Sequence, residues 1–122
     1  MTLDWKNIKK KYPKAFKVLV KDHETIEEWG EIDNPTIWGV HIEEPHWVIR
    51  HLYDFFDSKD LIVLPENIII GGEFIWYFSI GTSNNLSFFV DYESKFIGRK
   101  ETEIAAFTKA FELLEDKLKN RN

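Results

Sequence analysis

The chain changes its hydrophobic period twice, near residue 60 and again close to residue 98. Phe74, Trp76, Phe78 and Ile80 fall two apart, the spacing of a strand with one buried face. Ile104, Phe107, Phe111, Leu114 and Leu118 fall at steps of three and four, the spacing of one helical face. A sequence with both periods is neither all-helical nor all-β. The expected class is α+β.

The strand-like region is cut by turn residues. Ile68–Ile70, Phe74–Ile80 and Leu86–Tyr92 are rich in β-branched and aromatic residues, and Gly71-Gly72 and Gly81-Thr82-Ser83-Asn84-Asn85 separate them. Consecutive strands joined by short turns predict a three-stranded antiparallel meander. Pro65 should end a strand begun at Leu61, or bulge it at a sheet edge. In the second and third segments Phe74, Trp76, Phe78 and Ile80, then Leu86, Phe88, Val90 and Tyr92, are expected to face the core. The opposite face would carry Ile69, Ile75, Tyr77 and Phe89, too apolar a set for a solvated sheet. Either the N-terminal helix, through Trp5, Tyr12 and Phe16, or a second copy of the chain should cover it.

Three helical patterns flank the meander. Trp5, Ile8, Tyr12, Phe16 and Leu19 make an apolar stripe opposite Lys6, Lys10, Lys14, Lys17 and Lys21, with Thr2 or Asp4 as the cap and a kink or break near Lys11 caused by Pro13. The lysine side reads as solubilising charge. From Pro45 to about Asp57, HWVIRHLYDFF places Val48, Leu52, Phe55 and Phe56 on one side. In the last helix Glu101 and Glu103 begin, and Lys117, Lys119 and Arg121 end, a segment whose charges oppose its dipole. Residues 22–45 are acidic and broken by Gly30, Pro35, Gly39 and Pro45, with one short strand permitted at Trp38, Val40 and Ile42. The expected organisation is a single domain over 1–122: a basic helical segment at 1–21, an acidic irregular stretch at 22–45 and an α-β-β-β-α core at 46–120.

Charge is divided along the chain. Residues 1–21 hold seven lysines and one aspartate, whereas residues 22–66 hold twelve acidic residues against Arg50 and Lys59. The acidic part, with Glu43 and Glu44, is a candidate contact for a basic partner or an imitation of nucleic acid. Without cysteine, the chain has no disulfide, thiolate nucleophile or sulfur-ligated metal. His41, His46 and His51 are five residues apart, which on a helix separates neighbours by about 140°, so no metal site is expected. No nucleophile elbow, phosphate-binding glycine loop or dinucleotide fingerprint occurs, and neither a catalytic residue nor a cofactor is assigned. Trp76, Tyr77, Phe78, Phe88 and Phe89 lack the cations that a base-stacking platform needs, since residues 73–92 contain no Lys or Arg. The lysine-rich opening MTLDWKNIKKKYPKAF does not resemble a secretory signal, and no apolar run approaches the roughly 20 residues of a membrane span. A cytoplasmic location is expected.

The segment GRKETEIAAFTKAFELL at 98–114, with Ala105, Ala106 and Ala110, resembles the closing helix of double-stranded-RNA-binding domains, and the element order over 46–118 is similar. The resemblance implies that a basic cluster at the start of this helix meets duplex phosphates. Arg99 and Lys100 match two of its members, Glu103 stands at the third, and Gly71-Gly72-Glu73-Phe74 replaces the family's Gly-Pro-x-His loop. WKNIKKKYPKAF, LYDFFD and EIAAFTKAFELLE together also resemble small uncharacterised proteins of bacterial and phage genomes. The favoured expectation is a non-catalytic protein-interaction or regulatory module, with Ile69, Ile75, Tyr77, Phe89, Glu43 and Glu44 as candidate partner contacts and self-association as an option. A divergent duplex-RNA-binding module, using Arg99 and Lys100, is the alternative, although nucleic acid is not the expected partner. A small enzyme without a recognisable motif stands third.

Overall fold

The computed structural model describes residues 3–22, 46–85 and 88–120. It contains α1 (Trp5–Lys11), α2 (Pro13–Asp22), α3 (His46–Ser58), β1 (Ile62–Ile70), β2 (Glu73–Gly81), β3 (Phe89–Phe96) and α4 (Arg99–Lys119). The class is α+β, in the order expected from the two hydrophobic periods. The permitted strand at 38–42 lies outside the described residues.

The basic segment folds as two helices. Asp4 caps α1 by accepting the Asn7 N–H at 3.1 Å. Tyr12, at φ −125° and ψ 60°, leaves the helical region because Pro13 crowds the residue before it. Pro13 then opens α2, where its missing donor costs nothing. The break falls one residue beyond Lys11.

The three strands form one antiparallel sheet in the order β1-β2-β3. Gly71 and Gly72, at φ +58° and +83°, close the first hairpin with the left-handed pair of conformations that a two-residue turn needs. Pro65 neither ends nor bulges β1: the register runs unbroken from Ile62↔Gly81 through Pro65↔Phe78 to Ile70↔Glu73. An edge strand tolerates the missing donor because only one side of it must pair.

Val63, Phe78 and Ile80 point from one sheet face into the core and meet Phe107, Phe111 and Ala110 of α4. Leu52, Phe55 and Phe56 of α3 join them. The Phe56 ring lies 4.9 Å from that of Phe111 and stacks at 6.0 Å on Phe107. Trp5 reaches Phe111 edge-on at 5.9 Å and Phe16 at 6.3 Å. The N-terminal helices therefore pack against α4, within the helical layer, and do not cover the far face of the sheet. Burial against Phe111 keeps Trp5 and Phe16 on this side.

One long-range bond ties α2 to α4. Glu115 is 1% exposed, and its Oε1 accepts the Ala15 N–H at 2.8 Å. Ala15 lies in the first turn of α2, where backbone donors lack helical partners. A side chain one hundred residues away thus caps this helix.

Candidate interaction surface

Direct cross-strand partners share a face, so the register assigns every strand residue. Ile75 pairs with Ile68 and Tyr77 with Glu66, placing Leu64, Ile68, Ile70, Ile75 and Tyr77 together on the face turned away from the helices. Ile69 opposes Phe74 and belongs to the other face. Phe89 opposes Ile80 and is likewise turned toward the helices. The expected grouping of Ile69, Ile75, Tyr77 and Phe89 is therefore corrected: only Ile75 and Tyr77 lie on the open face.

The physical cause differs for the two residues. Ile69 follows from the two-residue Gly71-Gly72 turn, which pairs Ile70 with Glu73 and so fixes every later pair. For Phe89, the third strand has the opposite phase to that expected, and no residue pattern within 86–92 announces it. Phe89 stacks on Phe78 at 5.8 Å, and the Lys109 ammonium of α4 sits 4.6 Å above its ring. Further along, Asp91 pairs with Phe78 but Phe96 pairs with Trp76, an irregularity that lets Phe96 also approach Phe78.

The turn end of the β1–β2 hairpin extends beyond the helical layer. Ile69 and Phe74 are 69% and 62% exposed on the helix-side face, and Ile68 and Ile70 are exposed on the other. Both faces of one hairpin end thus present large apolar groups to solvent. The open face carries carboxylates: Glu66 accepts a 2.5 Å bond from the Tyr77 hydroxyl, and Glu73 is exposed. Glu43 and Glu44 lie outside the described residues.

The residues implied by the RNA-binding resemblance stand elsewhere. Arg99 opens α4 with its side chain exposed, and Lys100 follows it. Arg99, Arg50, Tyr53 and Glu103 line a cleft of about 490 Å³ between α3 and α4. Tyr53 donates to Glu103 at 2.5 Å, and the Arg99 Nε lies 3.9 Å from the same carboxyl. Burial, followed by the adjoining carboxyl, raises the Tyr53 hydroxyl above its ordinary value. A phenol held protonated and donating to a carboxyl supplies neither base nor nucleophile near neutral pH. Arg50 was not singled out in the sequence; its placement beside Arg99 depends on the crossing of two helices whose sequences carry no sign of it.

Among the described residues, no group of three or more His, Asp or Glu is placed to hold a metal ion. Of the spaced histidines, His41 lies outside the described residues and His51 is half-buried on α3. No described helix is long and apolar enough to cross a membrane. Comparison of the chain with protein-family models, curated proteins and solved structures finds no match in any of the three.

Proposed function

We propose that the chain is a small non-catalytic protein-interaction or regulatory module of the cytoplasm, and that the end of the β1–β2 hairpin is its contact element. The observation that carries this reading is the exposure of Ile68, Ile69, Ile70 and Phe74 on both faces of one protruding hairpin. Scattered apolar residues are ordinary on a surface, whereas a contiguous group on a projecting element favours burial against another protein. The carboxylates of Glu66 and Glu73 on the open face add selectivity for a contact surface that carries cations. Duplex RNA is the weaker reading, because Glu103 stands between Arg99 and Tyr53 and adds negative charge where phosphate would approach.

A photoreactive residue at position 69, irradiated in the native host cells, tests the proposal against the same residue at exposed Lys10. One discrete protein adduct at position 69, absent at position 10 and abolished by Ile70→Asp, is expected. Equal labelling at both positions, or an adduct indifferent to Ile70→Asp, overturns it. A second copy of the chain in the adduct would identify the contact as self-association.

A further inference from the structure

A second surface lies in the helical layer, away from the hairpin, and an inference from it stands independently of the reading above. Tyr12 lies in the field of Glu112, Ala15 bonds Glu115, and Val18 lines one depression together with Leu114 and Leu118. The two helices α2 and α4 therefore run in the same sense. Between their C-terminal halves and the α3–β1 turn lie two adjoining depressions of about 330 and 310 Å³. They share Val18 and Leu118, and Leu114 extends this aliphatic floor.

The rim is cationic. Lys14, Lys17 and Lys21 project from α2, and Lys59 and Lys117 face them from the turn and from α4. The lysines of α2 make no ion pair among the described residues. Among the described residues of the lining Asp60 is the carboxylate, and it is held by the Ser83 backbone N–H at 2.8 Å and the Ser83 hydroxyl at 3.2 Å. Lys117 donates to the Lys59 carbonyl, which keeps its ammonium beside the groove.

From this arrangement we infer that the α2–α4 groove binds an acidic amphipathic segment of another protein, its apolar side chains on Val18, Leu114 and Leu118 and its carboxylates toward the five lysines. An aliphatic floor excludes water from the centre of the contact, while lysines at the edge accelerate and select the encounter. Phosphate chains match this surface poorly: they would meet methyl groups where they need donors, and among the described residues the lining has no arginine and no aromatic ring for a base.

The experiment uses the full chain and a short fluorescein-labelled peptide of glutamate and leucine arranged amphipathically, read by anisotropy. Saturable binding is expected, at least about tenfold weaker after Lys17→Glu with Lys21→Glu, and retained after Lys17→Arg with Lys21→Arg. Raising salt from about 50 to about 300 mM should weaken it as screening shortens the reach of the lysines. A peptide with serine in place of leucine should bind at least about tenfold more weakly, because it leaves the floor wet. Lys17 and Lys21 are exposed, so unchanged unfolding midpoints confirm that the charge-reversed chain is folded.

Absence of saturable binding overturns the inference. Equal affinity for the serine peptide does so too, since it would show unspecific attraction between charges. Duplex RNA that displaces the peptide at lower concentration than unlabelled peptide does would make the surface a nucleic-acid site. Carbodiimide coupling of Lys17 or Lys21 to an acidic residue of 23–45 in the same molecule at high dilution would make the chain itself the occupant. None of these outcomes bears on labelling at position 69, so the two proposals fail separately.

Discussion

At the scale of single residues, the least expected feature is Glu115. In the sequence it is one more charged position near the end of an amphipathic helix, yet it is fully buried and caps the start of α2. Its Oε2 has no hydrogen-bond partner among the described residues. Glu115→Ala should cost about 1 to 3 kcal/mol, because it strands the buried Ala15 N–H. Glu115→Gln keeps an acceptor for that N–H and should cost less than Glu115→Ala, its remaining loss arising from an amide NH2 buried where Oε2 has no partner. Urea unfolding of the two variants gives both values; equal losses would show that the cap contributes nothing. Tyr53 supplies a second test. Its hydroxyl keeps its proton in the folded chain past the ordinary value of 10.0, which the unfolded chain retains. Above about pH 10 unfolding therefore releases a proton and stability falls as pH rises, whereas below it this contribution is fully present. Tyr53→Phe should lose the bond to Glu103 at pH 8 and decline less steeply between about pH 10 and 11. Parallel slopes for the two chains would refute the assignment.

At the scale of elements, legibility followed the range of the interactions that fix each one. The helix α4 is readable because Phe107, Phe111 and Leu114 recur within the element itself, and all three are buried as their spacing requires. Phe107→Ala should cost about 3 to 5 kcal/mol, since its ring is fully buried and packs on both Phe56 and Tyr53. A loss below about 1 kcal/mol in calorimetry would mean that α4 does not pack as described. The hairpin is readable for a similar reason, as two glycines fix its turn and the turn fixes its register. Pro65 misleads because its local cost is real, and only the position of β1 at the sheet edge removes it. The phase of β3 was not legible. The alternation of 86–92 favours Leu86, Phe88, Val90 and Tyr92 as the inward set, and pairing with Ile80 decides instead for Phe89. The lysine groove escaped for the same cause: Lys14, Lys17 and Lys21 are visible as one helical face, but Lys59 and Lys117 join them only in the folded chain.

At the scale of the whole molecule, the resemblance over 46–118 implies a self-sufficient α-β-β-β-α unit, and the packing argues otherwise. Leu3, Trp5, Ile8, Phe16 and Leu19 are all buried, and they cover the side of α4 that carries Phe111 and Leu114. Burying one large apolar side chain is worth about 1.5 to 3 kcal/mol, so five of them contribute an amount comparable with the 5 to 15 kcal/mol stability of an entire domain. Removing residues 1–22 would also leave Glu115 without the Ala15 N–H that it accepts. A chain beginning at residue 46 should therefore lose its sharp thermal transition and its dispersed amide spectrum, and should expose enough apolar surface on α4 to bind a hydrophobic dye. Adding residues 1–22 as a separate peptide should restore part of the dispersion, because the α1–α2 contact surface is formed by side chains and by one capping bond, with no strand pairing to rebuild. A cooperative transition in the shortened chain, at a temperature close to that of the full one, would show instead that the basic helices are an appendage and that the core ends at the sheet and its two helices.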